Sequence, residues 1–199
     1  MSRQSWSRRA FLGAAVASTC FALALSLVAG PAQAGRQRVN EIQFMAWSGV
    51  NPDTFCIRVV DPSKGNRLEV RQIGNPIPLL KLDVKPEQER EVFGSQQFAQ
   101  WSFITPGVQG LTAPNGWAVF GQREGQLFRI GLSNGRDTME LGRVQARPDS
   151  ATNTFAKTNL RTAYWSPDSL RVVVIVTQSN DDGGWSMSID EAHGFKLAK

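Results

Sequence analysis

Trp165-Ser166-Pro167-Asp168-Ser169-Leu170-Arg171-Val172-Val173-Val174-Ile175-Val176 is the stretch on which the fold turns. An aromatic residue and a Ser close one segment, Pro and Asp make a turn, and five β-branched residues follow without a polar break. Pro presets φ at the first turn position, and an Asp side chain accepts a hydrogen bond from its own turn. A run of β-branched residues favours a strand over a helix, and a strand that does not alternate is one buried on both faces. The stretch therefore predicts a hairpin whose second strand, 172–176, is central in its sheet. Working outward, 161–165 reads as the preceding strand, 180–184 as a turn, 185–190 as the next strand, and Phe195 and Leu197 as marks of a short apolar tail.

The same order recurs near the other end of the chain. Trp47-Ser48 is followed by Pro52-Asp53-Thr54 and an apolar strand to Val60, and Trp101-Ser102 by Pro106. Around the first copy, 42–47, 55–60 and 67–73 read as strands, with Leu68 and Val70 alternating against Arg67, Glu69 and Arg71 as in a half-buried antiparallel strand. A short strand at 79–84 precedes the one helical segment, near 86–99, which has Pro86 at its start, acidic residues in its early turns and Gly94 weakening it. Segments 117–121, 126–132 and 138–145 form a second meander, and 147–159 reads as a long polar loop. The fold class expected is mainly β: antiparallel meanders forming a propeller-like open stack or a small sandwich, with one short helix.

A strand ending in Trp-Ser, then Pro-Asp, a small residue and an apolar strand resembles the W/F-S-P-D-G hairpin of TolB-type, WD40-like β-propeller repeats. The resemblance implies that Trp47, Pro52, Asp53, Trp165, Pro167 and Asp168 are repeat-hairpin residues, each Trp capping a sheet core. Ser169 and Thr54 stand where the pattern has Gly, the middle copy lacks Pro-Asp, and three units are fewer than the four or more blades that close a propeller.

The chain begins with a different signal. Ser7-Arg8-Arg9-Ala10-Phe11-Leu12 leads into a nearly unbroken apolar run to Gly30, and Pro31 and Ala32-Gln33-Ala34 follow. A charged region, an apolar region and two small residues before a cleavage point make an export signal, and the Ser, paired Arg, Phe and Leu resemble a bacterial twin-arginine leader. Gly13 stands where that leader commonly has Lys, and a general secretory signal with an Arg pair is the alternative. Cleavage after Ala34 would leave residues 35–199 as one β-rich domain, periplasmic or extracellular, with no stable membrane anchor.

The formal +5 includes Arg3, Arg8 and Arg9 of the leader, without which it is +2. So small a charge, with no long run of one sign, gives no footprint for nucleic acid. Beyond the leader there is one Cys, Cys56, and one His, His193, too few for an iron-sulfur cluster, a c-type haem or a zinc site, and no cofactor is expected. Gly184-Trp185-Ser186-Met187-Ser188 follows the nucleophile-elbow pattern except at its last residue, and Ser186, Asp190 and His193 are the candidate triad it would carry. Cys56, inside an apolar strand, reads as an inert thiol, and residues 180–184 as a hairpin turn in preference to a calcium loop. The function expected is that of an exported, non-catalytic module contacting a protein or envelope component. The alternative is a small secreted hydrolase working through carboxylates such as Asp53, Asp149 and Asp168, with or without His193.

Overall fold

A computed structural model describes residues 36–104, 107–149, 154–182 and 185–197; the leader residues Ser7 to Leu12, Ala32 and Ala34 lie outside them. In chain order, β1 (Arg36–Arg38), β2 (Glu41–Ser48), β3 (Thr54–Asp61), β4 (Gly65–Gln72) and β5 (Leu80–Val84) lead to a broken helical segment. That segment is a 3-10 turn (Pro86–Gln88), α1 (Glu89–Phe93) and α2 (Gln96–Ala99). Short β6 (Phe103–Ile104) and β7 (Val108–Gln109) precede the meander β8 (Ala118–Glu124), β9 (Leu127–Ser133) and β10 (Thr138–Gln145). A small pair, β11 (Pro148–Asp149) and β12 (Thr154–Phe155), is followed by β13 (Lys157–Trp165), β14 (Arg171–Asp182) and β15 (Trp185–Lys196).

These strands make two five-stranded sheets, β5-β4-β3-β2-β6 and β1-β15-β14-β13-β7, and a three-stranded sheet, β10-β9-β8. Every pairing is antiparallel except that of β1 with β15. The fold is thus mainly β, built of antiparallel meanders with a short helical interruption. The β14 sheet lies in the middle. One of its faces, through Val173 and Ile175, packs on Ile42, Phe44, Phe55, Ile57 and Val59 of β2 and β3. The other, through Val172, Val174 and Val176, packs on Phe128, Ile130, Leu132 and Val144 of β9 and β10. Residues 172–176 are completely buried, as a non-alternating run requires.

The outer face of the β2–β5 sheet is covered by the helical segment, with Phe98 meeting Cys56, Leu68, Val70 and Val84. This segment sits where the sequence places it and breaks where Gly94 ends α1: the Gly94 N–H bonds the Arg90 carbonyl, and Ser95 is extended.

Bulges decide which side chains face the cores: one shifts register between Glu140 and Gly142 in β10, and two others lie in β2 and β13. Register shifts between Phe44 and Ala46, and between Leu160 and Thr162. The extra residue restarts the alternation. Phe44 and Trp47 therefore both turn toward the β14 sheet, and Arg161 turns away from the side on which Leu160 packs.

Three expectations are corrected in extent. Part of the 147–159 loop is the β11/β12 pair. Of the expected 180–184 turn, Asn180 to Asp182 are strand, the ladder continuing to Asp182↔Trp185, and 183–184 lie outside the described residues. The C-terminal tail is strand as far as Lys196, with Leu197 N bonded to Leu170 O.

Candidate functional site

The two matching Trp-Ser hairpins meet at one end of the stacked sheets. Trp47 donates its indole N–H to the Trp165 carbonyl at 3.2 Å, and Trp165 donates its own to the Gly110 carbonyl at 3.1 Å. Each Trp thus fills one inter-sheet core and is anchored to a backbone oxygen beyond its own strand. Ser48 Oγ accepts from Asn51 N and donates to Trp101 O; Ser166 Oγ accepts from Arg171 N and donates to Asp168. Ser169 holds φ at 55°, the left-handed conformation for which the repeat pattern carries Gly. Ser169→Gly is expected to stabilise the domain by up to about 1 kcal/mol in chemical denaturation, because it removes the strain of a Cβ at positive φ.

Asp53 and Asp168 converge on one guanidinium. Arg171, its side chain only 10% exposed, donates Nε to Asp53 and Nη1 to Asp168, while Lys196 Nζ lies 3.2 Å from Asp53. Asp168 also ties its own turn by accepting from Leu170 N. Arg171 and Lys196 hold the Asp53 carboxyl below the usual range. Burial pushes the Asp168 carboxyl up, and bonds from Ser166, Leu170 N and Arg171 more than reverse it. Both carboxylates are therefore ionised and paired, the reverse of the raised pKa a general acid needs. The recess beside them, about 180 Å³, is framed by Trp47, Ile104, Pro52 and Pro167.

The candidate triad does not assemble. Asp190, with a side chain 0% exposed, faces the β2–β5 sheet, where it accepts from Arg38, Arg161, Thr177 and the backbone N–H of Ile42. His193 lies within β15 opposite Val174, on the face of the strand away from Asp190, and its Nε2 is 3.4 Å from Glu191 Oε2 on that same face. His193 and then Arg147 hold the Glu191 carboxyl down to about 2, against the opposing effect of burial. Ser186 pairs through its backbone with Asp181 and Arg36. Cys56 is wholly buried, its thiol pushed up to about 12 by burial and by the nearby Glu69 charge, so it is no nucleophile near neutral pH. Among the described residues, no three His, Cys, Asp or Glu side chains are grouped to hold a metal ion.

The second site is one the sequence does not mark. β1 covers β15 only at Ser186, Met187 and Ser188. Asn40 extends that cover by one residue: its side-chain amide donates to Asp190 O and accepts from Asp190 N, as a peptide group would. Backbone groups of an antiparallel strand point alternately to its two neighbours. Because Asp190 points its N–H and C=O outward, so do Ala192, Gly194 and Lys196, and among the described residues no strand pairs with them. Beside this open edge lie two adjoining recesses. One, of about 420 Å³, is lined by Phe55, Arg71, Ile73, Pro76 and the Ala192-to-Phe195 stretch; the other, of about 280 Å³, by Arg67, Arg71, Arg147 and Ala192 among others.

The floor is the inner face of β4. Arg67, Glu69 and Arg71 stand opposite Val59, Ile57 and Phe55 and share their face of the sheet. Glu69 is 1% exposed and accepts from Arg67 Nε at 2.7 Å and Arg71 Nε at 2.8 Å. Burial pushes the Glu69 carboxyl up, and Arg71 and Arg67 more than reverse it, leaving it ionised.

No protein-family model matches this chain, and comparisons with curated proteins and with solved structures likewise give no match. The arrangement is thus an uncovered strand edge above a charged floor and beside an apolar-walled recess.

Proposed function

We propose that this chain is an exported, non-catalytic interaction module that takes an extended segment of another protein or envelope component as an added strand on β15. The observation that carries it is the free edge at Ala192, Gly194 and Lys196 beside a recess of about 420 Å³. An uncovered edge is a template for strand addition, in which backbone hydrogen bonds supply affinity and recesses for alternate side chains supply selectivity. The paired, ionised states of Asp53 and Asp168 favour binding over the carboxylate-hydrolase alternative.

A phage-displayed library of random nine-residue peptides, selected against the purified domain, tests this. Ala192→Pro removes one outward N–H and no ladder bond, a change edge strands tolerate. Selected clones are expected to bind the wild type and to lose binding to this variant, with its thermal midpoint little changed. Clones indifferent to it would refute strand addition.

Export rests on the leader, and with it the periplasmic or extracellular location in a bacterium. Secreted material should begin at Gly35, and replacing both Arg8 and Arg9 by Lys should block its appearance outside the cytoplasm. Unimpaired export of the double variant would instead favour a general secretory signal. The Trp47 and Trp165 hairpins are offered, on their residue pattern, as TolB-type repeat units.

A further inference from the structure

We propose that the strand accepted at β15 is acidic: the residue opposite Ala192 is Asp or Glu, held by Arg67 and Arg71, and a large apolar side chain two positions away fills the recess at Gly194. This rests on strand addition as the mode of binding. Residues directly opposite one another in neighbouring strands project to the same face. A residue added opposite Ala192 therefore points where Ala192 points, toward the β2–β5 sheet and into the recess that Arg67 and Arg71 line. A residue opposite Gly194 points into the larger recess, whose walls include Phe55, Ile73 and Pro76.

The charge on the floor selects the partner. Glu69 is buried among side chains that otherwise pack a sheet interface, a position an apolar residue would fill at lower cost in desolvation. What it does is hold two guanidiniums, accepting from Nε of Arg67 and from Nε and Nη2 of Arg71, while both side chains, 32% and 27% exposed, line the recess. A planar donor edge fixed in this way matches a carboxylate. The surrounding charges do not supply one: Asp190 is taken by Arg38 and Arg161, Glu191 by Arg147, and exposed Lys81 and Asp83 of β5 offset each other. Two arginines thus share the single Glu69 carboxylate, and the recess keeps a net positive charge.

A second copy of the chain fits poorly. Antiparallel self-pairing centred on Gly194 would bring the second copy's Lys196 opposite Ala192, facing Arg67 and Arg71. Centred on His193, it would set the second copy's Gly194, which has no carboxylate to offer Arg67 and Arg71, opposite Ala192; centred on Ala192, it would need Asp190, which Asn40 already caps.

The library selection also reads this inference. Selected peptides are expected to carry Asp or Glu two positions from a Phe, Leu, Ile or Trp. Replacing that acid by Gln in a synthetic selected peptide should weaken binding roughly tenfold, and Lys should weaken it further. Working on the peptide side avoids Arg71 variants, which would strand the buried Glu69 charge. Bound peptide should slow amide exchange at Ala192, Gly194 and Lys196 of the wild type, a readout independent of any variant's folding. Winners without acidic preference that still fail on Ala192→Pro would overturn the acidic partner and leave strand addition standing. Winners that leave those three amides unprotected, or no winners at all, would overturn both. Dimerisation abolished by Ala192→Pro would make the occupant a second copy and overturn the proposal.

Discussion

Trp165→Ala is expected to destabilise the domain by about 3–5 kcal/mol, the range for removing a large aromatic side chain from a packed core. Trp165 is completely buried, filling the core between the β14 sheet and the β8–β10 sheet. Truncation empties that volume and leaves the Gly110 carbonyl without its indole donor. The carbonyl of Trp165 itself accepts from Trp47 and from Gly107, so any local collapse would reach the neighbouring sheet. Trp165→Phe separates the two contributions: it keeps most of the apolar contact and loses the hydrogen bond, for a cost of about 1–2 kcal/mol. Urea denaturation of both variants checks this. A loss under about 1 kcal/mol for Ala would mean that the site is hydrated or collapses freely.

The anchoring of each Trp was partly legible in the sequence. Trp47-Ser48 and Trp165-Ser166 announced two hairpins, and both Trp side chains lie buried in inter-sheet cores. That the Asp53 and Asp168 carboxylates share Arg171 was not legible, because the contact spans 118 residues between Arg171 and Asp53 and depends on how the sheets stack. The bulges at Met45 and Arg161 left no trace either. One extra residue in a strand has no composition of its own, yet it turns Trp47 inward and sends Arg161 to Asp190. The alternation in β4 correctly separated Leu68 and Val70 from Arg67, Glu69 and Arg71. It could not say that the apolar row meets the helical segment while the charged row faces the β14 sheet, where Glu69 is buried. Most of the β15 site went unread for a related reason. After Ile189 the residues are Asp, Glu, Ala, His, Gly, Phe and Lys, with no apolar alternation to signal a strand, and the ladder is imposed by β14. The binding edge is uncovered by strand order, a property of topology that no local pattern encodes.

Val174→Pro should be at least as damaging as the Trp truncation, at about 3 kcal/mol or more, and is expected to lower the thermal midpoint steeply. Val174 pairs with Ala163 on one side and His193 on the other, so its amide is committed to a ladder whichever way it points. Pro deletes that bond, leaves the facing carbonyl buried without a donor, and forces a ring into a strand packed on both faces. The effect separates a central strand from an edge strand. The same substitution at Ala192, whose N–H points away from β14, costs no ladder bond and should be tolerated. Comparing the thermal midpoints of Val174→Pro and Ala192→Pro therefore measures the asymmetry that makes β15 available to a partner. If the two variants were equally unstable, the outer N–H groups of β15 would have to be engaged within the domain, and the edge would not be free.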